Sequence, residues 1–265
     1  SLTLTFTQAP NLGSLTAVVT SFGGSSGAAV QVATVIAAPT VSQSLVSRAV
    51  NSPATLVIAG TGFDSTAAGN QVVLSSGAFT VASATSTSLT LTFTQAPNLG
   101  SLTAVVTSFG GSSGAAVQVA TIVAAPTVTQ VTSNLGADSA SMIILGTGFN
   151  AATPGANLVS FNLGAAGTVQ SATTTSLVVS FSSKPTSTQA LSAVVTSFGG
   201  QSSGGTPVPV ASVKLSSADW FGVSSNQDGS KLGAAAKSGG RIWLSADGGS
   251  VWTAQETGGA PTSGY

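Results

Sequence analysis

The chain has 265 residues, no net charge, no His and no Cys, and only 5% of its residues are charged. This composition excludes a basic face for nucleic acid, disulfides, thiolate sites and the usual His- or Cys-dependent catalytic triads. No apolar run approaches the roughly 18 residues of a membrane helix, so we expect no direct membrane insertion. We therefore predict a chain without catalytic residues, cofactor or metal ion.

One stretch occurs twice almost letter for letter and organises the chain. Ser1–Pro39 and Ser88–Pro126 differ only where Val35-Ile36 replaces Ile122-Val123. A looser third copy contains the run Ala193–Gly200. A period of about 87 residues indicates an array of small domains.

The first copy begins with a strict alternation that predicts a half-buried strand over Ser1–Thr7. The apolar face of this strand would hold Leu2, Leu4 and Phe6. Strands near residues 15–19 and 30–34 would complete a meander of three strands. Because a full copy needs about seven strands, we expect this half-domain to be completed either by another chain or by preceding residues of a longer polypeptide.

From Pro39 to Ala124 the sequence predicts short strands separated by turn residues, a pattern typical of an antiparallel β-sandwich. Within it, we expect the face of Leu89, Leu91 and Phe93 to be core. The predicted strands are Thr40–Gln43, Ala54–Ala59, Asn70–Leu74, Phe79–Ala84, Ser88–Thr94, Leu102–Phe109 and Ala116–Ile122.

A glycine-rich corner follows the second strand of each full repeat. With the strand before it and the segments Asn70–Val73 and Leu102–Val106, this pattern resembles the IPT/TIG domain. That family is an immunoglobulin-like sandwich of receptors, transcription factors and bacterial surface proteins. The resemblance covers about four-fifths of the chain and implies that the corner is structural. The corner residues are Gly60, Gly62, Phe63, Gly146, Gly148 and Phe149.

Two details near the corner bear on other interpretations. The Gly60-Thr-Gly62 run is no dinucleotide loop, because the third glycine and the following helix are missing. Asp64 is a candidate Ca²⁺ ligand, but such ions need six or more oxygens and no acidic residue is near in sequence, so we prefer an Asx-type turn. The segment Ser44–Ser52 departs from the family pattern because it lacks the expected glycine spacing.

Phe109 and Phe198 each end a strand in the sequence Thr-Ser-Phe-Gly-Gly. Two interpretations of these aromatic residues are open. They are either exposed anchors at a subunit contact or caps on the end of a sandwich core.

After Val213 the composition changes, and all three Trp residues lie in this last part of the chain. The sequence predicts strands on both sides of a turn at Asp228-Gly229, and a further strand over Arg241–Leu244. The following Ser245–Trp252 resembles the Asp-box of sialidase-like β-propellers, with Val251 where Thr is usual. That resemblance implies a structural hairpin and not a catalytic carboxylate. Its box residues are Ser245, Asp247, Gly249 and Trp252.

Together these patterns predict an all-β chain of tandem immunoglobulin-like antiparallel β-sandwiches with a C-terminal Asp-box hairpin or propeller-blade-like segment. The predicted domains are 1–38 (the C-terminal half of an IPT/TIG repeat), 39–125 and 126–213 (complete repeats), and 214–265 (the Asp-box segment).

The functional prediction follows from near-identical repeats and a neutral, hydroxyl-rich surface, which favours self-association. We predict a non-enzymatic structural subunit of an extracellular or cell-surface filament, hair or stalk. Its partner would be itself, through head-to-tail or strand-complementing contacts. The alternative is a glycan-binding or adhesive module of a larger cell-surface protein with a β-propeller, and a receptor ectodomain fragment is a third.

Overall fold

The computed structural model describes residues 1–52, 54–215, 220–236 and 241–255. In these residues the regular structure consists of β-strands and short 3₁₀ helices at Ala67–Gly69, Pro154–Ala156 and Ser202–Gly205. The predicted all-β class is therefore confirmed. No helix in the described ranges has the length and apolar character needed to cross a membrane. The chain divides into two compact units, residues 1–46 with 54–121 and residues 47–53 with 122–265.

Most strands of the first half of the chain belong to unit 1, and β6 belongs to unit 2. In unit 1, β5, β7, β10 and β9 form one antiparallel sheet in that order, while β12, β11 and β13 form a second sheet in which β8 also pairs with β11. The strands are β1 (Gly13–Ala17), β2 (Thr20–Ser21), β3 (Gly24–Ser25), β4 (Val30–Val35), β5 (Thr40–Val41), β6 (Ser47–Ala49), β7 (Thr55–Thr61), β8 (Asn70–Leu74), β9 (Ala78–Thr85), β10 (Ser88–Gln95), β11 (Gly100–Ser108), β12 (Gly111–Ser112) and β13 (Val117–Val123).

Period-two alternation places the core of unit 1 where the sequence predicted it. Leu89 and Leu91 of β10 are fully buried, between Ile58 of β7 on one side and β9 on the other. The second sheet contributes its own inward row of fully buried residues, Leu102, Ala104 and Val106. The seven strands predicted between residues 40 and 122 agree with observed strands to within two residues at each end.

Phe93 departs from the predicted core face because it is only half-buried. It lies near the end of β10, where its ring meets the edge of Phe79 with 6.3 Å between ring centroids. An edge-to-face pair of this kind retains part of the apolar contact while one side of each ring stays near solvent. The core therefore ends at Leu91 on this strand.

The first copy of the repeated stretch differs from the second. Residues 1–12 form no strand, so the strand predicted over Ser1–Thr7 is wrong, and Leu2 and Leu4 are 73% and 70% exposed. Its β1 and β4 pair into a two-stranded sheet, and β2 and β3 form a small hairpin. A strand needs a partner for its backbone N–H and C=O groups. In the described part of the chain, residues 1–7 have no counterparts of β7 and β9 beside them, so the same letters stay irregular.

The second half of the chain repeats the sandwich and adds a further sheet. One sheet has the order β14-β16-β19-β18 and the facing sheet the order β15-β22-β20-β17, with β15 parallel to β22. The strands are β14 (Thr127–Val128), β15 (Asn134–Gly136), β16 (Ser141–Thr147), β17 (Leu158–Phe161), β18 (Ala166–Ala172), β19 (Ser176–Ser183), β20 (Ala190–Ser197), β21 (Gly200–Gln201), β22 (Val208–Lys214), β23 (Trp220–Ser225), β24 (Leu232–Ala236), β25 (Ile242–Ser245) and β26 (Thr253–Gln255).

The C-terminal sheet, in the order β23-β24-β25-β26, packs on the preceding sandwich within unit 2. Trp243 is 1% exposed and belongs to the same apolar cluster as Leu177 and Leu191. The backbone N–H of Ala254 donates to the Thr186 carbonyl at 2.7 Å. One face of this sheet is therefore covered by the sandwich, which buries Trp243.

The two copies of the repeated stretch offer a matched test of this fold. We expect Leu91→Ala to lower the free energy of unfolding of unit 1 by about 2–5 kcal/mol, because it opens a cavity in a closed core. The equivalent exposed residue is Leu4, and Leu4→Ala should change it by less than about 0.5 kcal/mol. Hydrogen exchange of unit 1 amides in urea measures both. Equal losses would show that Leu4 is covered in solution.

Candidate functional site

The glycine corner brings three structural residues into close contact in both repeats. A Cβ on Gly60 would overlap the Thr40 carbonyl oxygen and the Phe63 ring, so only glycine permits this approach. Gly62 adopts a φ of +71°, in the left-handed region that glycine favours. The second corner has the same geometry, with Gly146 against the Thr127 carbonyl and Phe149 buried. The corner thus fixes the first strand of each sandwich against the second.

A buried asparagine closes each corner, a role that the sequence pattern alone did not predict. In the first, the Nδ2 of Asn70 donates to the carbonyls of Asp64 and Thr66 at 2.8 and 3.0 Å. The Asp64 N–H donates back to the Asn70 Oδ1 at 3.0 Å. Asn157 closes the second corner in the same way. The available signal was an Asn following Gly-Thr-Gly-Phe in both repeats.

Asp64 lies in this closed loop. Its Oδ1 accepts a hydrogen bond from the Thr66 N–H at 2.8 Å, which is the geometry of an Asx-type turn. In the described residues no group of three or more His, Cys, Asp or Glu side chains could hold a metal ion. The hydrogen bonds of Asp64 therefore stabilise the loop between β7 and β8.

The sequence Ser-Phe-Gly-Gly forms a tight turn three times, and we call each of these a Phe turn. The Phe turns are Ser21–Gly24, Ser108–Gly111 and Ser197–Gly200. Each Phe has a positive φ, a conformation that costs an L-residue roughly 1–2 kcal/mol. Phe109 is 59% exposed, whereas Phe198 is half-buried. The turns therefore hold a bulky aromatic residue in a strained position at the surface.

The third Phe turn has a binding partner within unit 2. The Ala49 N–H donates to the Phe198 carbonyl at 2.9 Å, and the Asn51 Nδ2 donates to the Gln201 carbonyl at 2.8 Å. A Cβ on Gly200 would overlap both the Asn51 side chain and the Ala49 methyl group. We refer to the binding residues as the Ala49–Asn51 segment. It falls in the region that departs from the family pattern.

The predicted box residues form a hydrogen-bonded turn between β25 and β26. Asp247 Oδ1 accepts from the Val251 N–H at 2.9 Å and from the Ser245 hydroxyl at 2.8 Å. Ser245 Oγ also accepts from the Gly249 N–H at 2.8 Å. The Val251 N–H, followed by the Ser245 hydroxyl, holds the pKa of Asp247 below its usual value. The carboxylate is thus engaged in the turn, with half-buried Trp252 beside the core cluster.

An open cleft of about 890 Å³ lies at this end of the C-terminal sheet. Leu244 gives it an apolar wall, while Asn226, Lys231, Asp247 and Gln255 supply polar groups around it. Among the described residues, no aromatic ring lines the cleft on which a sugar could stack. The described lining offers hydroxyl and amide groups with Lys231 and Asp247, and such groups suit a polar ligand.

No family model and no curated protein sequence matches this chain. Among solved structures, it is similar to the plexin A4 extracellular region, domains 1 to 10, with 9% identity, a TM-score of 0.42, and 82% of this chain and 20% of that chain covered. It is also similar to domains 4–9 of the surface layer protein SbsC, with 14% identity, a TM-score of 0.26, and 82% of this chain and 39% of that chain covered. A third similar structure is Bacteroides ovatus SGBP-B in complex with a mixed-linkage heptasaccharide, with 13% identity, a TM-score of 0.25, and 70% of this chain and 48% of that chain covered.

The chain spans about a fifth of the plexin chain and less than half of the other two. All three identities lie below 25% and all three TM-scores lie below 0.5. The similarity at this level assigns neither a family nor a function.

The corner predicts a sharp difference between two glycines of the same repeat. Gly146→Ala should lower the free energy of unfolding of unit 2 by about 1–3 kcal/mol or more, because the new methyl group overlaps the Thr127 carbonyl and the Phe149 ring. A Cβ on Gly155 would meet no atom within 4 Å, so Gly155→Ala should change little. Tryptophan fluorescence in urea reports unit 2, which holds all three Trp. Similar losses in both variants would contradict the overlap.

The stability of the turn between β25 and β26, which we call the box turn, should depend on pH through Asp247. Since its pKa is lowered on folding, the ionised carboxylate stabilises the turn above the pKa of the unfolded chain. That stabilisation is lost as the pH falls through the lower, folded pKa. We expect exchange of the Val251 N–H, compared with its unfolded reference, to lose protection in this acid range in the wild-type chain but not in Asp247→Asn. The same pH profile in both would contradict the assignment.

Proposed function

We propose that this chain is a non-enzymatic structural module of the cell surface or extracellular space, which assembles with itself into a filament, hair or stalk. The single observation that carries the proposal is a set of exposed apolar side chains in the first copy of the repeated stretch, which we call the apolar row. Leu2, Leu4 and Val32 are exposed, whereas their counterparts in the second copy are buried core residues. A second sandwich half of matching sequence is the surface that such a row fits.

The free energy gained by covering these side chains is similar in size to the free-energy cost of association. Covering a large apolar side chain recovers about 1.5–3 kcal/mol, so Leu2, Leu4, Phe6 and Val32 together offer about 6–12 kcal/mol. Association costs an estimated 4–15 kcal/mol of lost freedom. The apolar row by itself therefore supports only weak association. Further contacts between the same two molecules would decide whether a stable assembly forms.

The non-enzymatic part of the proposal follows from the chemistry available. With no His and no Cys, nucleophile activation would rest on carboxylates and lysines. Asp247, the carboxylate at the cleft, is engaged with Val251 and Ser245 in the box turn. A neutral surface rich in Ser and Thr favours contact between copies over repulsion.

The second candidate function is glycan binding, and the cleft beside the box turn favours it. Its amide and hydroxyl groups can exchange hydrogen bonds with a saccharide, and Lys231 is exposed on its rim. In this case the module would be an adhesive part of a larger cell-surface protein.

Electron microscopy of the purified chain, combined with light scattering over a concentration series, tests the main proposal. We expect regular filaments or ordered oligomers whose mass rises with concentration. Monomers at every concentration would overturn it. Monomers that bind a glycan array, with binding lost in Lys231→Ala, would establish the second candidate instead.

A further inference from the structure

The three Phe turns share one internal geometry. The φ values of Phe22, Phe109 and Phe198 are 48°, 52° and 51°. In each turn a Ser hydroxyl accepts a backbone N–H across the hairpin at 3.0 Å, from Val19, Val106 and Val195 in turn. The turns are therefore equally preorganised, whatever surrounds them.

In the described residues, the third of these turns is hydrogen-bonded by another segment of the chain, whereas the second has Ala38 and Pro39 beside its Gly111. The Ala49–Asn51 segment binds it through the carbonyls of Phe198 and Gln201. Phe22 and Phe109 remain exposed. One turn thus shows what the shared geometry can bind.

The contacts that hold the third turn are available in the second. Both hydrogen bonds end on backbone carbonyls, so the replacement of Gln201 by Ser112 leaves the acceptor unchanged. Gly111 stands where Gly200 permits the close approach of Asn51, and a Cβ on Gly111 would lie at ordinary contact distance from Ala38 and Pro39, 3.4 and 3.5 Å away. The Phe109 turn therefore presents the same two backbone carbonyls, and it carries a glycine where the third turn admits Asn51.

We propose that the Phe109 turn is a docking site for the Ala49–Asn51 segment of a second copy of this chain, a proposal that rests on the proposed function and names the partner surface. Within one molecule the segment already holds its own Phe198 turn at a high effective concentration. A turn from another molecule replaces it only when the internal turn leaves. Self-association through this contact is accordingly weak in the wild-type chain and strong once the segment is vacated.

The contact joins two different surfaces, the segment of one molecule and the turn of the next. Such a heterologous contact does not close on itself unless the rotation between copies allows a ring, and otherwise it repeats into an open chain. The Phe22 turn has the same sequence and geometry, so it offers the same carbonyls. This contact would add to the apolar row of residues 1–35 in the assembly.

Analytical ultracentrifugation of full-length variants tests the site. Gly200→Ala vacates the segment, because its Cβ overlaps Asn51 and Ala49. We expect this variant to associate at least tenfold more tightly than wild type. Adding Gly24→Ala and Gly111→Ala should reverse the gain, since the same overlap now blocks the other two turns. Gly155→Ala in the Gly200→Ala background is the matched control and should leave association unchanged.

Two results would overturn the site: a Gly200→Ala chain that sediments as wild type, or association indifferent to Gly24→Ala and Gly111→Ala. Should Gly200→Ala unfold, the comparison is wild type against Gly24→Ala/Gly111→Ala at high concentration, where only wild type should gain mass. Equal behaviour of the two overturns the site. Wild-type filaments that persist unchanged in the Gly24→Ala/Gly111→Ala chain would refute the docking site alone, whereas a monomeric wild type with an associating Gly200→Ala chain would refute the proposed function alone.

Discussion

Ladder pairing of β10 between β7 and β9 is the interaction on which the sandwich of unit 1 depends. The pairing satisfies the backbone of Ser88–Gln95 on both edges and thereby fixes which side chains point inward. Residues 1–8 carry the same letters without those neighbours and form no strand. The alternating pattern specifies which side chains would share one face of a strand, but the strand itself forms only where neighbouring strands pair with it.

The glycine corner and its asparagine serve this pairing from outside the sheet. The corner brings β5 against β7 where no side chain would fit, and Asn70 holds the loop that leads into β8. The hydrogen bonds of Asn70 therefore connect the two sheets of the sandwich. Asn157 makes the equivalent hydrogen bonds in the following repeat.

Much of this fold could be predicted because strand alternation is a local property. The seven strands of the second repeat and the residues of both corners follow from period two and from Gly-x-Gly-Phe. The strand over Ser1–Thr7 could not be judged from its own letters, since its pairing partners are remote in sequence. The half-burial of Phe93 depends on where the neighbouring strands stop, and no residue near it carries that information.

The contacts of the candidate sites were harder to predict for the same reason. The Ala49–Asn51 segment meets a turn about 150 residues further along the chain, through backbone carbonyls that no sequence pattern marks. The packing of Trp243 into the sandwich core likewise joins elements from two predicted domains. The box turn could be predicted from the sequence, by contrast, because Ser245, Asp247 and Val251 lie within one short stretch.

The near-identity of the two copies also has a consequence for synthesis on the ribosome. The strands of residues 40–85 emerge after the first copy but before the second, and at about 5–20 residues per second the delay before the second is complete lasts roughly 2–8 s. Hairpins form in microseconds, so the nascent strands meet the first copy as their earliest available partner. The two-residue connection Ser86-Thr87 joins β9 directly to β10, and this short loop favours the second copy as the lasting partner of β9.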